Sequence, residues 1–336
     1  MTDRPSTIAI RGAGITGLWQ ALTLARKGYR VTVYEKSETP FADAASRYAA
    51  AMLAPRCEEE SAEALVRRLG LRSIALWRET FPGTIVNGSL VLTLPRDRPL
   101  LERFARMTSH HERLDADAIH KLEPSLARRF ETALFFEGEA HFPPETAMAW
   151  AMEKAEKAGA RFVFGTEAPP QDADLVIDCR GLGARADLPE LRGVRGERII
   201  VRSEEIALSR PVRLLHPRHP LYVVPRGNRE YMLGATAIES DEGGRISVRS
   251  ALDLLGAAYA LDPAFGEAEI IDQGAGVRPA FPDNLPRIIV SPRYIYVNGL
   301  YRHGFLLSPA LAELVAGYLE DGTREEEIFF ADTRER

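Results

Sequence analysis

Residues 7–35 narrow the folding choices of this chain more than any other stretch. TIAI (7–10) reads as a short buried strand that breaks at RGAGITG, and LWQALTLARKG continues as a helix with Leu18, Leu22 and Ala25 on one face. Gly28 marks the helix stop, and RVTVYEK (30–36) alternates as a second strand. A strand, a glycine turn, a helix and another strand in so short a span make a βαβ unit, which belongs in a parallel sheet covered by helices. The turn itself reads Gly12-x-Gly14-x-x-Gly17. That spacing is weak by itself, but here it follows a strand, opens a helix, and precedes an acid, Glu35, at the end of the next strand. Those are the requirements of a dinucleotide site. Gly12 permits the tight turn, Gly14 lets the backbone approach a pyrophosphate, and Gly17 allows close helix–strand packing. Glu35 would accept hydrogen bonds from a ribose diol and repel a 2′-phosphate, so NADP is disfavoured and NAD or FAD remain.

Two later features favour FAD. Ala44-Ala45-Ser46 through Ala50-Ala51-Met52 is small enough for a large cofactor to lie along the chain. A second glycine turn, Asp178-Cys179-Arg180-Gly181-Leu182-Gly183, closes the strand DLVIDC, as where a dinucleotide domain is completed by a distant segment. Further along, helices are expected over about 61–80, 145–159, 247–261 and 305–319, and strands at SLVLTL (89–94), ARFVFG (160–165) and YIYVN (294–298). LYVVPRGNREYMLGAT is a hairpin with its turn at Arg-Gly-Asn. The expectation is α/β plus α+β: a Rossmann-like FAD-binding domain from residues 1–80, 143–195 and 272–336, interrupted by a β-rich substrate domain from 81–142 and 196–271.

The bulk properties exclude several classes. With 336 residues, 45% hydrophobic and 27% charged, the chain is ordinary soluble-globular material and too long for one small core. A net charge of -5 argues against nucleic-acid binding. No run approaches the roughly 20 apolar residues of a membrane span. The start, MTDRPSTIAIRGAG, enters a strand with no apolar leader, and two cysteines, Cys57 and Cys179, give no disulfide framework. A soluble cytoplasmic protein is expected. His110-His111 and HPRHP (216–220) lack a ligand set at recognised spacing, so no metal is expected. Arg67-Arg68 and Arg128-Arg129 read as solvated helix faces or ends, Glu58-Glu59-Glu60 as a loop or helix start, and Trp77 and Trp150 as core.

GAGVRPAFPDNLPRI (274–288) poses a different question. Arg278 sits among residues suited to a buried, closely packed place, where an unpaired guanidinium is costly. It turns outward, pairs with an internal acid such as Asp272 or Asp283, or waits for an anion the protein does not carry. A planar fork matches a carboxylate bidentately, as lysine cannot.

With these segments assembled, the chain resembles the D-amino acid oxidase–like FAD enzymes, and within them the glycine oxidases of thiamin biosynthesis. The carriers are GAGITGL, AAAMLAP, VIDCRGLGA, RGVRGE, YVVPRGNREYMLGAT, GVRPAFPDNLP and YRHGFLLSPA, in order over nearly the whole length. The resemblance implies non-covalent FAD and a small amino acid bound above the flavin, its carboxylate held by Arg278 with Tyr222 and Arg302 near it. Implied cofactor contacts at the first turn are Gly12, Ala13, Gly14, Ile15, Thr16 and Gly17, followed by Glu35 and Lys36. Others are Ala44, Ala45, Ser46, Ala50, Ala51 and Met52, then Val163, Cys179, Gly181 and Leu182. The last set, besides Arg278, is His303, Gly304, Phe305, Leu306 and Leu307, at a helix N-terminus that would face the flavin pyrimidine. The implied reaction moves hydride from Cα to flavin N5, the imine hydrolyses to oxo acid and ammonia, and O2 becomes hydrogen peroxide, with no side-chain general base. Oxidation of other D- or N-methylated amino acids, a dehydrogenase passing electrons to a carrier, and flavin binding without turnover stay open. Family members are often tetramers, and no motif here decides the oligomeric state. Two departures stand out. Ala237 replaces a methionine that lines the substrate side-chain space, and Arg11 precedes the first fingerprint glycine without a functional account.

Overall fold

The computed structural model describes residues 5–126, 129–166, 168–169 and 173–332. Residues 1–4, at the start of the opening segment, and Arg128 lie outside them.

Among the described residues, seven strands form one sheet whose middle is parallel. Thr7–Arg11 lies between Arg30–Glu35 and Leu175–Asp178, with Arg161–Phe164 and Tyr294–Asn298 on either side. Arg287–Val290 joins antiparallel to Tyr294–Asn298, and Phe329–Ala331 lies at that edge. The strands come from three separated stretches of chain, and helices Ile15–Arg26, Pro144–Lys157 and Gly304–Asp321 pack with them in one apolar core.

Helix Gly304–Asp321 contains Pro309, which has no N–H for the Phe305 carbonyl. The indole of Trp77, on helix Ala64–Thr80, donates to that carbonyl at 2.8 Å, and the Ala310 N–H turns to Ser73 Oγ at 3.1 Å. Two buried side chains of one helix thus restore what the proline removes from the other, fixing the first turn of Gly304–Asp321. Trp77 is fully buried and Trp150 half-buried against the same core.

A second sheet of nine strands among the described residues is mostly antiparallel. Its longest pairing joins Arg192–Arg202 to Glu269–Ala280. The expected hairpin forms from Leu221–Gly227 and Glu230–Gly234, with Asn228 and Arg229 both left-handed at φ 51 and 59, as a two-residue hairpin turn requires. The two long strands run across 195/196 and 271/272, so both junctions expected from the sequence fall inside this sheet.

Strand Glu269–Ala280 was not among the elements expected, because two glycines and a proline argue against one. Its glycines have steric work instead. A Cβ on Gly274 would meet the Tyr48 ring at 2.5 Å, and one on Gly276 would meet the Ala45 carbonyl at 3.1 Å. Their absence lets the turn Ala45–Tyr48 lie directly on the strand.

Candidate active site

Between the two sheets lies a cavity of about 770 Å³, within the range of small-molecule sites. At one end is the glycine turn. Gly12 has φ +94, and a Cβ there would press on the Cys179 carbonyl at 2.9 Å. A Cβ on Gly17 would come within 1.9 Å of the Gly12 carbonyl. Gly14 has only Ser46 Oγ near, at 3.7 Å, and lines the cavity. The three glycines therefore serve turn, open wall and helix packing respectively. Glu35 is held by the Ala13 N–H at 2.7 Å and the Ser37 N–H at 3.1 Å, with its residue on the cavity lining.

Arg11 finds its reason here. Its guanidinium pairs at 3.1 Å with Asp178, its register neighbour on the adjacent strand. Asp178 is fully buried and also pairs with Arg180 at 2.7 Å, so the second glycine turn rests on a carboxylate neutralised from both sides.

Of the residues expected to hold cofactor, Ile15, Thr16, Lys36, Ala44, Ala45 and Ser46 line this cavity beside those named. So do Ala50, Ala51, Met52, Cys179, Gly181 and Leu182, and with them His303, Gly304, Phe305 and Leu306, of which Gly304 lies against Ile15 of the glycine turn. Four stand behind the lining or away from it. Ala13 and Leu307 are buried, Gly17 packs on the turn, and Val163 sits 39% exposed on the edge strand.

The far end of the cavity gathers Tyr222, Ala237, Arg278 and Arg302. Arg278 is half-buried and donates to the Thr236 carbonyl at 2.9 Å. Its guanidinium lies where a Cβ on Gly196 would be, 2.1 Å away, so only a glycine opposite lets it lie against the neighbouring strand. Asp272 pairs with Arg198 and Asp283 with Arg287, and no carboxylate among the described residues forms an ion pair with Arg278. Burial, with Arg302 nearby, lowers its pKa. The Tyr222 hydroxyl is buried without a hydrogen-bond partner, and burial pushes its pKa up to about 12. A cation without a counter-charge and a spare hydroxyl, in one cavity, suit an external carboxylate.

Glu58 is the residue that sequence reasoning missed. It lines the cavity at 12% side-chain exposure, with Oε2 2.7 Å from Arg302 and 4.0 Å from His303 Nδ1. Burial opposes its ionisation, yet Arg302 holds its carboxyl below the usual range. Arg302 is held in turn, its pKa raised by Glu58, and it also donates to Ser61 Oγ at 2.6 Å. Behind them Arg213 stacks on Tyr222 and pairs with Glu60 at 3.0 Å. His303 is 5% exposed, and burial pushes its pKa down to about 4, so it is neutral near pH 7. No cluster of His, Cys, Asp and Glu suited to a metal occurs among the described residues. No described helix is long and apolar enough to cross a membrane.

Residues 7–318 match the model of the FAD dependent oxidoreductase family, and the chain belongs to that family. It is 52% identical over 311 residues, 92% of this chain and 95% of that protein, to the putative thiamine biosynthesis oxidoreductase ThiO of Rhizobium etli. It is 27% identical to a glycine oxidase of Geobacillus kaustophilus, covering 93% of this chain and 92% of that one. The crystal structure of glycine oxidase from Geobacillus kaustophilus superposes with a TM-score of 0.81 at 24% identity, covering 98% of each chain. The cofactor of this protein is FAD. The residues fit it: a turn whose Cβ positions are closed except on the cavity side, an oriented Glu35, and a cavity running from that turn to Arg278.

Proposed function

We propose that this enzyme oxidises glycine or a similarly small amino acid and serves the formation of the thiamin thiazole. The observation that carries the reading is Arg278, a guanidinium on the cavity wall with no carboxylate among the described residues paired to it. Arg278 receives the substrate carboxylate in a bidentate pair, and the Tyr222 hydroxyl supplies a further hydrogen bond to it. Glu58 and Arg302 neutralise one another at the adjacent wall, which leaves the charge of Arg278 for the ligand. FAD, when bound, accepts the two electrons and the hydrogen that leave Cα. His303 is neutral and Glu58 already engaged, so no side chain serves as general base and the substrate amine reacts uncharged. The chain's part is positioning. The imine then takes up water and yields ammonia and an oxo acid, while O2 takes two electrons and two protons as hydrogen peroxide.

We assign FAD to the segments 1–80, 143–195 and 272–336 and the substrate to 81–142 and 196–271 together with Arg278, which the shared sheet carries across from the last FAD segment, in a cytoplasmic, non-covalent flavoenzyme that assembles as a homo-oligomer. The substrate reading rests on the 52% identical ThiO and on the fit of Arg278 and Tyr222 to a carboxylate. Ala237 on the lining leaves room beyond glycine itself. Mixing the purified protein with glycine anaerobically should bleach the flavin band, and admitting air should restore it with one peroxide per turnover. A band that glycine and small D- or N-methylated amino acids all leave untouched overturns the proposal.

A further inference from the structure

Arg226 ends the strand that carries Tyr222, and its side chain makes an uncommon set of bonds. Nη2 donates to the Ala49 carbonyl at 2.7 Å, and Nη1 donates to those of Ala50 at 3.0 Å and Phe142 at 3.1 Å. No carboxylate among the described residues forms an ion pair with it, and burial together with Arg198 works against its charge. A planar fork can grip adjacent carbonyls in a way that a lysine cannot. The two adjacent carbonyls belong to the residues just before Ala51.

Ala51 is the strained point of this wall. It has φ 52, in the left-handed region that non-glycine residues avoid, and it is 4% exposed. Ala49, Ala50, Ala51 and Met52 all line the cavity. The wall leaves the turn Ala45–Tyr48, passes through Ala51, and enters the short strand Met52–Leu53 that pairs with Ala140–His141. The Phe142 carbonyl follows directly on that partner strand, so one guanidinium ties both sides of the crossing to the second sheet. Strain of this kind persists only where surrounding bonds over-determine the backbone.

We propose that Arg226 is a positioning residue that holds the wall Ala49–Met52 in the shape that accepts FAD, against the backbone preference of Ala51. The inference rests on the cofactor alone and not on which amine is oxidised, so its test measures no turnover. Protein stripped of flavin would be titrated with FAD, following the quenching of flavin fluorescence, below the melting temperature of every variant compared. Arg226→Met should weaken FAD binding at least tenfold. Adding Ala51→Gly to Arg226→Met should recover most of that loss, because glycine takes the left-handed conformation without the clamp. If Arg226→Met does not fold, Arg226→Lys, which keeps a single donor group, replaces it, with a smaller loss and the same recovery by Ala51→Gly. An unchanged Kd in the Arg226 variant overturns the proposal. So does a loss that Ala51→Gly leaves untouched, since a clamp on unstrained backbone would behave that way.

Discussion

The cavity has two ends, and they are made differently. At the glycine turn, the residues that shape it come from one βαβ unit, with Cys179 as the main distant neighbour. At the arginine end, Glu58, Gly196, Arg213, Tyr222, Arg278 and Arg302 come from six separate parts of the chain. The first end works through backbone shape: positive φ at Gly12, close approach at Gly17, and a carboxylate oriented by amides. The second works through charge, with each cation except Arg278 matched by a carboxylate of the protein. The difference teaches where each kind of specificity is stored. Backbone shape is written in local spacing, whereas charge balance is written in pairs that only the fold brings together.

The largest expected effect strikes the local end. Gly17→Val would place a Cβ within 1.9 Å of the Gly12 carbonyl, a backbone atom that cannot yield without opening the turn. The variant should purify without flavin and show no saturable binding of added FAD in a fluorescence titration. Retention of FAD with ordinary affinity would mean that the turn is more plastic than its geometry implies, and the contrast between the two ends would weaken.

At the arginine end the expected loss is large but leaves the cofactor in place. Arg278→Ala removes the cation of this end that no carboxylate among the described residues balances, at a cost of roughly 2–5 kcal/mol in substrate engagement. That is at least tenfold in kcat/KM at about 1.4 kcal/mol per decade. The flavin spectrum of the variant should match that of the parent. A variant with near-normal kcat/KM would show that Arg278 belongs to the scaffold.

How far each end was legible in the sequence follows from the same distinction. The glycine fingerprint, Glu35, the second glycine turn and the hairpin were readable because turn chemistry depends on near neighbours, although the hairpin turns at Asn228-Arg229 and not at Arg-Gly-Asn. Arg278 stood out because its surroundings looked apolar, and the structure removes the paired-arginine alternative, since Asp272 and Asp283 face other arginines. Glu58 did not stand out. In the run Glu58-Glu59-Glu60 three like residues meet three different fates: Glu58 takes Arg302, Glu59 takes Ser109 with Arg56 and Arg67, and Glu60 takes Arg213. No local pattern separates them. The strand bearing Arg278 was hidden for a similar reason, because its glycines answer to Tyr48 and Ala45, over 200 positions away. Arg11, without a reason in the sequence, gains one once Asp178 lies beside it.

The smallest effect concerns the support of the charged end and separates stability from chemistry. Glu139 is 2% exposed and accepts the N–H groups of Arg56 at 3.1 Å and Cys57 at 2.8 Å, so it anchors the turn that presents Glu58. Burial, opposed by Ser89 and the Cys57 amide, raises its pKa from 4.5 to about 7. Between those values the folded protein holds a proton that the unfolded chain has released. The contribution of this group to stability is therefore full below about pH 4.5 and is lost as the pH rises through about 7. The loss is at most about 3.5 kcal/mol, at ~1.4 kcal/mol for each pH unit between the two values. Glu139→Gln keeps an acceptor for both amides and cannot ionise. Its melting temperature should fall less than that of the parent between pH 5 and 8, with the two curves closest at the acid end. Parallel curves would mean that Glu139 stays ionised throughout, and the turn bearing Glu58 would then be held by a fixed charge, like the arginine end it supports.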